Sequence, residues 1–202
     1  MREISPAVNM SVEQYLAARP ELSPIVAEIR RQKLDGERIQ PSKLLIDRSS
    51  ILSSEYREKL LDKIAQLVDE NVVGRSDMCL QFADLLNRSL VHMKFPSRAV
   101  VGKAIYHDPL GNEIWRWDHA WVRVGSEVVD GNVDILSENP VVPHTVSVKP
   151  YWGALSEMPA GRRLREAPGQ QLPLDEDVER TWWPDLKAWV DSELRAIGVG
   201  VK

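Results

Sequence analysis

Apolar residues recur with a helical period in the first and last thirds of this chain and with a strand period between them. Residues 11–72 read as helical. Ser11 with Gln14 forms a capping box, and Ser23-Pro24 supplies a second N-cap with proline at the first helical position. From Ser54 to about Asn71, one face of an amphipathic helix is drawn by Tyr56, Leu60, Leu61, Ile64, Leu67 and Val68. Gly74 closes that element. Ser76 opens the next as its N-cap, which places Asp77 first and Cys79 third in a helix running to about His92. Its apolar positions are Met78, Phe82, Leu85, Leu86 and Leu90.

From Arg98 the period changes to two, and residues 98–106 predict a strand. The run His107-Asp108-Pro109-Leu110-Gly111-Asn112 is turn chemistry, Glu113–Val124 predicts a second strand, Gly125-Ser126 a two-residue hairpin loop, and Glu127–Asp134 a third strand. Residues 137–173 are proline-rich, with Val141, Val142, Val146, Val148, Tyr151, Trp152 and Leu155 interspersed. They predict extended coil wrapped over the domain. A helix over about Trp183–Ile197, amphipathic through Leu186, Trp189, Val190 and Leu194, ends the pattern. A helix followed by an antiparallel meander is an α+β signature. The organisation expected is a helical amino-terminal region (1–72), a core (73–136), and a wrapping segment with the final helix (137–202), all within one compact domain.

Composition narrows the classes. With 202 residues, 43% of them apolar and 28% charged, the chain can bury a core and is not of the disordered class. Lys and Arg number 26 against 30 Asp and Glu, and a formal charge of −4 argues against nucleic acid as the main partner. One short basic knot, Arg162, Arg163 and Arg165, is the exception. The amino terminus carries no signal pattern and no apolar run approaches the roughly 18 residues that span a membrane, so the expected location is the cytoplasm, without membrane contact.

There is one cysteine, Cys79, which excludes an internal disulfide and, lacking a Cys/His cluster, structural zinc. Its place near a helix start is chemically distinctive. The unpaired N–H groups of a first turn favour a thiolate and can donate to an oxyanion. The competing reading is a small buried core residue. A nucleophilic thiol also needs an imidazole and a group that orients it. In Trp117-Asp118-His119-Ala120-Trp121-Val122-Arg123-Val124, alternation puts Trp115, Trp117, His119, Trp121 and Arg123 on one face and the small apolar residues on the other. With Gly125-Ser126 as the loop, Val124 pairs with Glu127. By continuation His119 faces Asn132, with Asp130 and Asp134 as diagonal neighbours roughly 7–8 Å away. Any of the three could orient the imidazole. The tryptophans either wall a site, Trp117 and Trp121 touching substrate, or cover the sheet against the segment around Trp152.

The order of these pieces resembles the transglutaminase-like superfamily of papain-fold cysteine enzymes. The matching residues are Gly74-Arg75-Ser76-Asp77-Met78-Cys79 with Phe82-Ala83-Asp84-Leu85-Leu86, then Pro96-Ser97-Arg98-Ala99-Val100-Val101-Gly102, His119-Ala120-Trp121-Val122, and Val128-Val129-Asp130. The resemblance implies a nucleophile helix packed on an antiparallel sheet, with Cys79 as nucleophile, His119 as general base and acid, and Asp130 as orienting carboxylate. The family usually follows that Asp with Pro-Thr, whereas this chain has Gly131-Asn132, so Asn132 and Asp134 stay open as substitutes. The implied chemistry is amide hydrolysis, deamidation or transamidation of a peptide or protein through a Cys79 thioester, without cofactor or metal. The oxyanion would be held by the Cys79 backbone N–H and a second donor, for which Asn71 is the candidate. Two rivals are a catalytically silent protein-binding module on the same fold and a coenzyme A dependent acyltransferase using the Arg162–Arg165 knot. His92, His107 and His144 show no ligand spacing, alone or with Asp118 or Asp134, and no D-x-D-x-D-G calcium loop occurs.

Overall fold

The structure, a computed structural model, describes residues 41–71, 75, 78–138 and 149–196, with isolated positions between 20 and 35. The caps at Ser11 and Ser23, together with Gly74, Ser76, Asp77 and His144, lie outside the described residues. The architecture is α+β, and from residue 41 onward the described residues form a curled six-stranded mixed sheet and three α-helices. The strands are β1 (Ile46–Asp47), β2 (Ser97–His107), β3 (Glu113–Val124), β4 (Glu127–Asp130), β5 (Tyr151–Ala154) and β6 (Arg162–Glu166). The helices are α1 (Ser54–Asn71), α2 (Cys79–His92) and α3 (Trp183–Ala196). In the sheet the order is β1-β5-β4-β3-β2-β6.

Helix α1 starts where its pattern predicts, with the Ser53 hydroxyl accepting from the Tyr56 backbone N–H at 3.2 Å. The meander also follows the pattern. Val124 lies opposite Glu127, Arg123 opposite Val128 and Val122 opposite Val129, the register set by the two-residue loop at Gly125.

Four expectations are corrected. Residues 11–72 are not helical throughout, because Ile46 and Asp47 pair in parallel with Tyr151 and Trp152. The carboxylate of Asp47 then gathers Ser49, Ser54 and Arg57 to turn the chain into α1. Helix α2 begins at Cys79 with Met78 as N-cap, so the thiol sits on the first helical residue rather than the third. Strand β4 ends at Asp130, and a 3-10 turn (Val133–Glu138) replaces its expected continuation to Asp134. The wrapping segment holds two strands. β5 pairs with β4 and β6 with β2, both antiparallel, and Pro150, Pro159 and Pro168 lie outside them, where a missing N–H costs no ladder bond.

One face of the sheet meets the helices. Ala120, Val122, Val124, Val129 and Trp152 pack there with Leu60, Leu61, Ile64, Phe82, Leu85, Leu86 and Leu90 of α1 and α2 and Leu186, Val190 and Leu194 of α3. The opposite, concave face is filled by Val100, Trp121, Val128 and Tyr151, then by Ala104, Tyr106, Val133 and Leu136 with Trp115 and Trp117 against them. Trp152 therefore lies on the helix side, away from the β3 tryptophans, and does not meet them across a wrapping segment. Among the described residues no helix is long and apolar enough to cross a membrane.

Candidate functional site

Strand β4 ends at Asp130, and the close passage that follows requires glycine. A Cβ on Gly131 would stand 2.6 Å from Phe82 Cε1 and 3.0 Å from Leu61 Cδ2, so only glycine lets the chain pass this close to α1 and α2. The departure leaves His119 of β3 without a ladder partner on that side and brings the Asp130 carboxylate to its ring. His119 Nε2 donates to Asp130 Oδ1 at 2.7 Å, with both side chains fully buried. The other ring nitrogen, Nδ1, completes no hydrogen bond, and the group that acts on the ring from elsewhere is the Cys79 thiol. Cys79 is 7% exposed and His119 1%.

The electrostatics follow from that packing. Burial pushes the His119 pKa down. The Asp130 carboxylate and then Cys79 more than offset it, and the value is raised to about 9. Burial also works against the Asp130 charge, but His119 and Arg162 hold its pKa below the ordinary carboxylate value. An anionic Asp130 and a cationic His119 are mutually dependent at neutral pH.

Aromatic rings fix the imidazole from the sides. Trp117 stacks on it with centroids 4.5 Å apart and planes 21° apart, and Trp121 lies tilted at 6.2 Å. Room for the Trp121 indole comes from Gly102, the β2 residue opposite His119, where a Cβ would approach Trp121 Cη2 to 2.7 Å. Trp121 is fully buried and Trp117 partly buried, so of the two only Trp117 combines contact with His119 and exposure.

Asn132 and Asp134, held open above as partners of His119, bind Arg75 instead. The buried Arg75 guanidinium donates to both Asp134 oxygens at 2.9 and 2.7 Å and to Asn132 Oδ1 at 3.3 Å, and Asn132 returns a bond to the Arg75 carbonyl at 3.3 Å. These bonds tie the segment before Cys79 to the segment after Asp130. Asn71 ends α1, and its side chain lies outside the described residues. The first-turn N–H groups of α2, that of Cys79 included, are free of intrahelical partners by helix geometry.

The residue that sequence reasoning missed is Arg162. It is 5% exposed, and from β6 it reaches across the concave face to Asp130 Oδ2 at 2.8 Å and to the Lys149 carbonyl at 2.5 Å. The basic knot is thus not one patch, since Arg162 points inward while Arg163 and Arg165 are exposed. Alternation with Leu164 was the available signal. Among the described residues, no three His, Cys, Asp or Glu side chains converge as metal ligands would. His92 bonds Asp191 at 2.6 Å, joining α2 to α3.

No protein-family model matches the chain, and no curated protein sequence matches it. One solved structure, described only as the crystal structure of genomics APC5867, is similar in fold. It has a TM-score of 0.51 and 16% identity, and the match covers 73% of this chain and 82% of that one.

Proposed function

We propose that this chain is a cysteine-dependent acyl-transfer enzyme of the transglutaminase-like type, on a papain-like core, acting on an amide of a peptide or protein. One observation carries the reading: a buried carboxylate holds His119 through Nε2, and Cys79, which opens helix α2, is among the groups that raise the pKa of that imidazole. Nucleophile, base and orienting group then stand in the order the chemistry requires.

In this reading His119 Nδ1 already holds the proton of the Cys79 thiol, and the Cys79 thiolate attacks the amide carbonyl carbon. The resulting oxyanion accepts from the Cys79 backbone N–H. Collapse breaks the C–N bond as Nδ1 returns the proton to the leaving amine, which leaves a thioester on Cys79. Water or an amine attacks the thioester, giving up a proton to the same nitrogen, and Cys79 leaves as the thiolate it began as. Asp130 keeps Nε2 protonated so that Nδ1 is the nitrogen that exchanges protons.

A second reading, a silent binding module, is favoured by the burial of Cys79 and His119, because a substrate carbonyl needs access. Native protein incubated with a peptide library and analysed by mass spectrometry separates the two. An acyl adduct on Cys79, absent from Cys79→Ala and His119→Ala, supports the enzyme. Failure of iodoacetamide to modify Cys79 in folded protein at pH 7, with full modification after unfolding, establishes the module.

A further inference from the structure

Strand β6 lies at the end of the sheet, hydrogen-bonded to β2 on one side only. The register fixes which of its backbone groups are used. The Gly161 carbonyl accepts from the His107 N–H at 2.7 Å and the Ala167 N–H donates to the Val101 carbonyl at 2.9 Å, so the odd-numbered residues of this stretch turn their N–H and C=O groups toward β2. Leu164 and Glu166 turn theirs to the open edge, where nothing among the described residues bonds them. Both residues are partly exposed, and no bulge interrupts the pairing of β6. An unpaired row of this kind is a template for another strand.

The side chains decide what can pair there. On the concave face Arg162 is matched by Asp130, and Glu166 by Arg98 and Arg123 at 2.7 and 3.0 Å, with Leu164 between them against the core of that face. Arg163 and Arg165 are exposed on the other face. Asp108 shares a cleft with Arg163. Arg165 enters no ion pair among the described residues, and across the ladder from it stands Lys103, whose own charge is met by Asp118 at 2.8 Å. A second copy of the chain suits this edge poorly. Antiparallel pairing of two β6 edges joins even-numbered residues to even-numbered ones, so every register that uses Leu164 sets an arginine of one copy against an arginine of the other. Like charges directly opposite destabilise a ladder, and a carboxylate in the same position stabilises it.

We infer that the open edge of β6 takes up an extended segment of a partner protein as a seventh strand, with an acidic residue across from Arg165 and an apolar one across from Leu164. Backbone ladder bonds supply the general affinity, and the Arg165 pair supplies the selectivity. The site stands independently of the thiol chemistry, and its test reads binding alone.

The full-length chain, labelled with nitrogen-15, is titrated at constant ionic strength with the end-capped peptide Ser-Thr-Glu-Val-Glu-Thr-Ser, whose symmetry serves either strand direction. The comparison peptides carry Lys in place of Glu, or an N-methyl group on the central Val. Saturable shifts centred on the Leu164 and Glu166 amides are expected with the Glu peptide, together with slowed hydrogen exchange of both. The Lys peptide should bind about tenfold more weakly, as an attractive cross-strand pair becomes a repulsive one. N-methylation removes the donor that faces Leu164 and should abolish binding. Arg165→Glu, on an exposed side chain, should keep the melting temperature and reverse the preference between the Glu and Lys peptides. Equal binding of the N-methylated peptide would reduce the contact to charge attraction and overturn strand addition. Equal binding of the Lys peptide, or self-association of the free protein that the Glu peptide reverses, would overturn the acidic partner, the latter by assigning the edge to a second copy.

Discussion

Arg162 of β6 and Asp130 of β4 meet at 2.8 Å although two strands separate theirs in the sheet. Only a sheet curled on itself allows this contact, and the pair lies wholly inside the concave face. Arg162 is therefore a positioning residue for Asp130, which holds His119. Removing it strands a buried carboxylate, at a cost of about 3–5 kcal/mol. Arg162→Met should lower stability by that order in urea unfolding. It should also shift the alkaline limb of Cys79 alkylation to higher pH, because an Asp130 carboxylate no longer shared with Arg162 holds the His119 proton more tightly. Arg162→Lys should restore the charge but not the two-way hydrogen bonding, and recover only part of each. An unshifted pH profile in a destabilised Arg162→Met would confine Arg162 to a purely structural role.

The His119–Asp130 pair gives stability a definite pH dependence. The folded pKa of His119, about 9, stands above its unfolded value near 6.5. The folded state thus holds the proton more tightly. The contribution is complete below about pH 6.5 and is lost as pH rises through about 9. For Asp130 the folded pKa is depressed, so its contribution is present above the unfolded value near 3.9 and disappears as pH falls. Chemical denaturation across pH 5–10 should show the alkaline loss in the native sequence and a flatter profile in His119→Gln. Equal slopes in the two proteins would place the proton linkage elsewhere.

The thiol should depend on its neighbour. His119 and the first-turn N–H groups of α2 surround Cys79. His119→Gln is expected to slow iodoacetamide modification of Cys79 at pH 7 by at least tenfold, with the stopped reaction followed by intact mass. A rate that does not change would mean the helix alone sets thiol reactivity.

Legibility in the sequence tracked how local the cause was. The register around Gly125-Ser126 is set by a two-residue loop and alternation over a few positions, and it placed Asp130 among three polar neighbours of His119, of which the structure bonds Asp130 to the ring. At the end of β4 the need for glycine at 131 comes from Phe82 and Leu61, residues 49 and 70 positions away in sequence, and no local pattern carries that. Strand β1 is two residues long and takes its partners from Tyr151 and Trp152, so a helical background hid it. Arg162 was obscured by a run of arginines in which only the alternation with Leu164 separates the inward residue from the outward ones.

Arg75 and Asp134 provide the sharpest test of how the site is framed. Their two-pronged, buried contact, with Asn132 beside it, joins the approach to Cys79 with the exit from Asp130. Cutting one partner leaves the other charged and buried, so Arg75→Met and Asp134→Asn should each cost about 3–5 kcal/mol. Asp69, 3.5 Å from Arg75 Nε, shares the load and should soften the second change more than the first. In the double variant neither charge is stranded, and the total should fall well short of the sum of the single losses. The same cycle read through Cys79 alkylation should show slower modification in both single variants, because the helix start and Asp130 lose their common tie. Additive stabilities with unchanged alkylation would show that the two segments keep their positions without it.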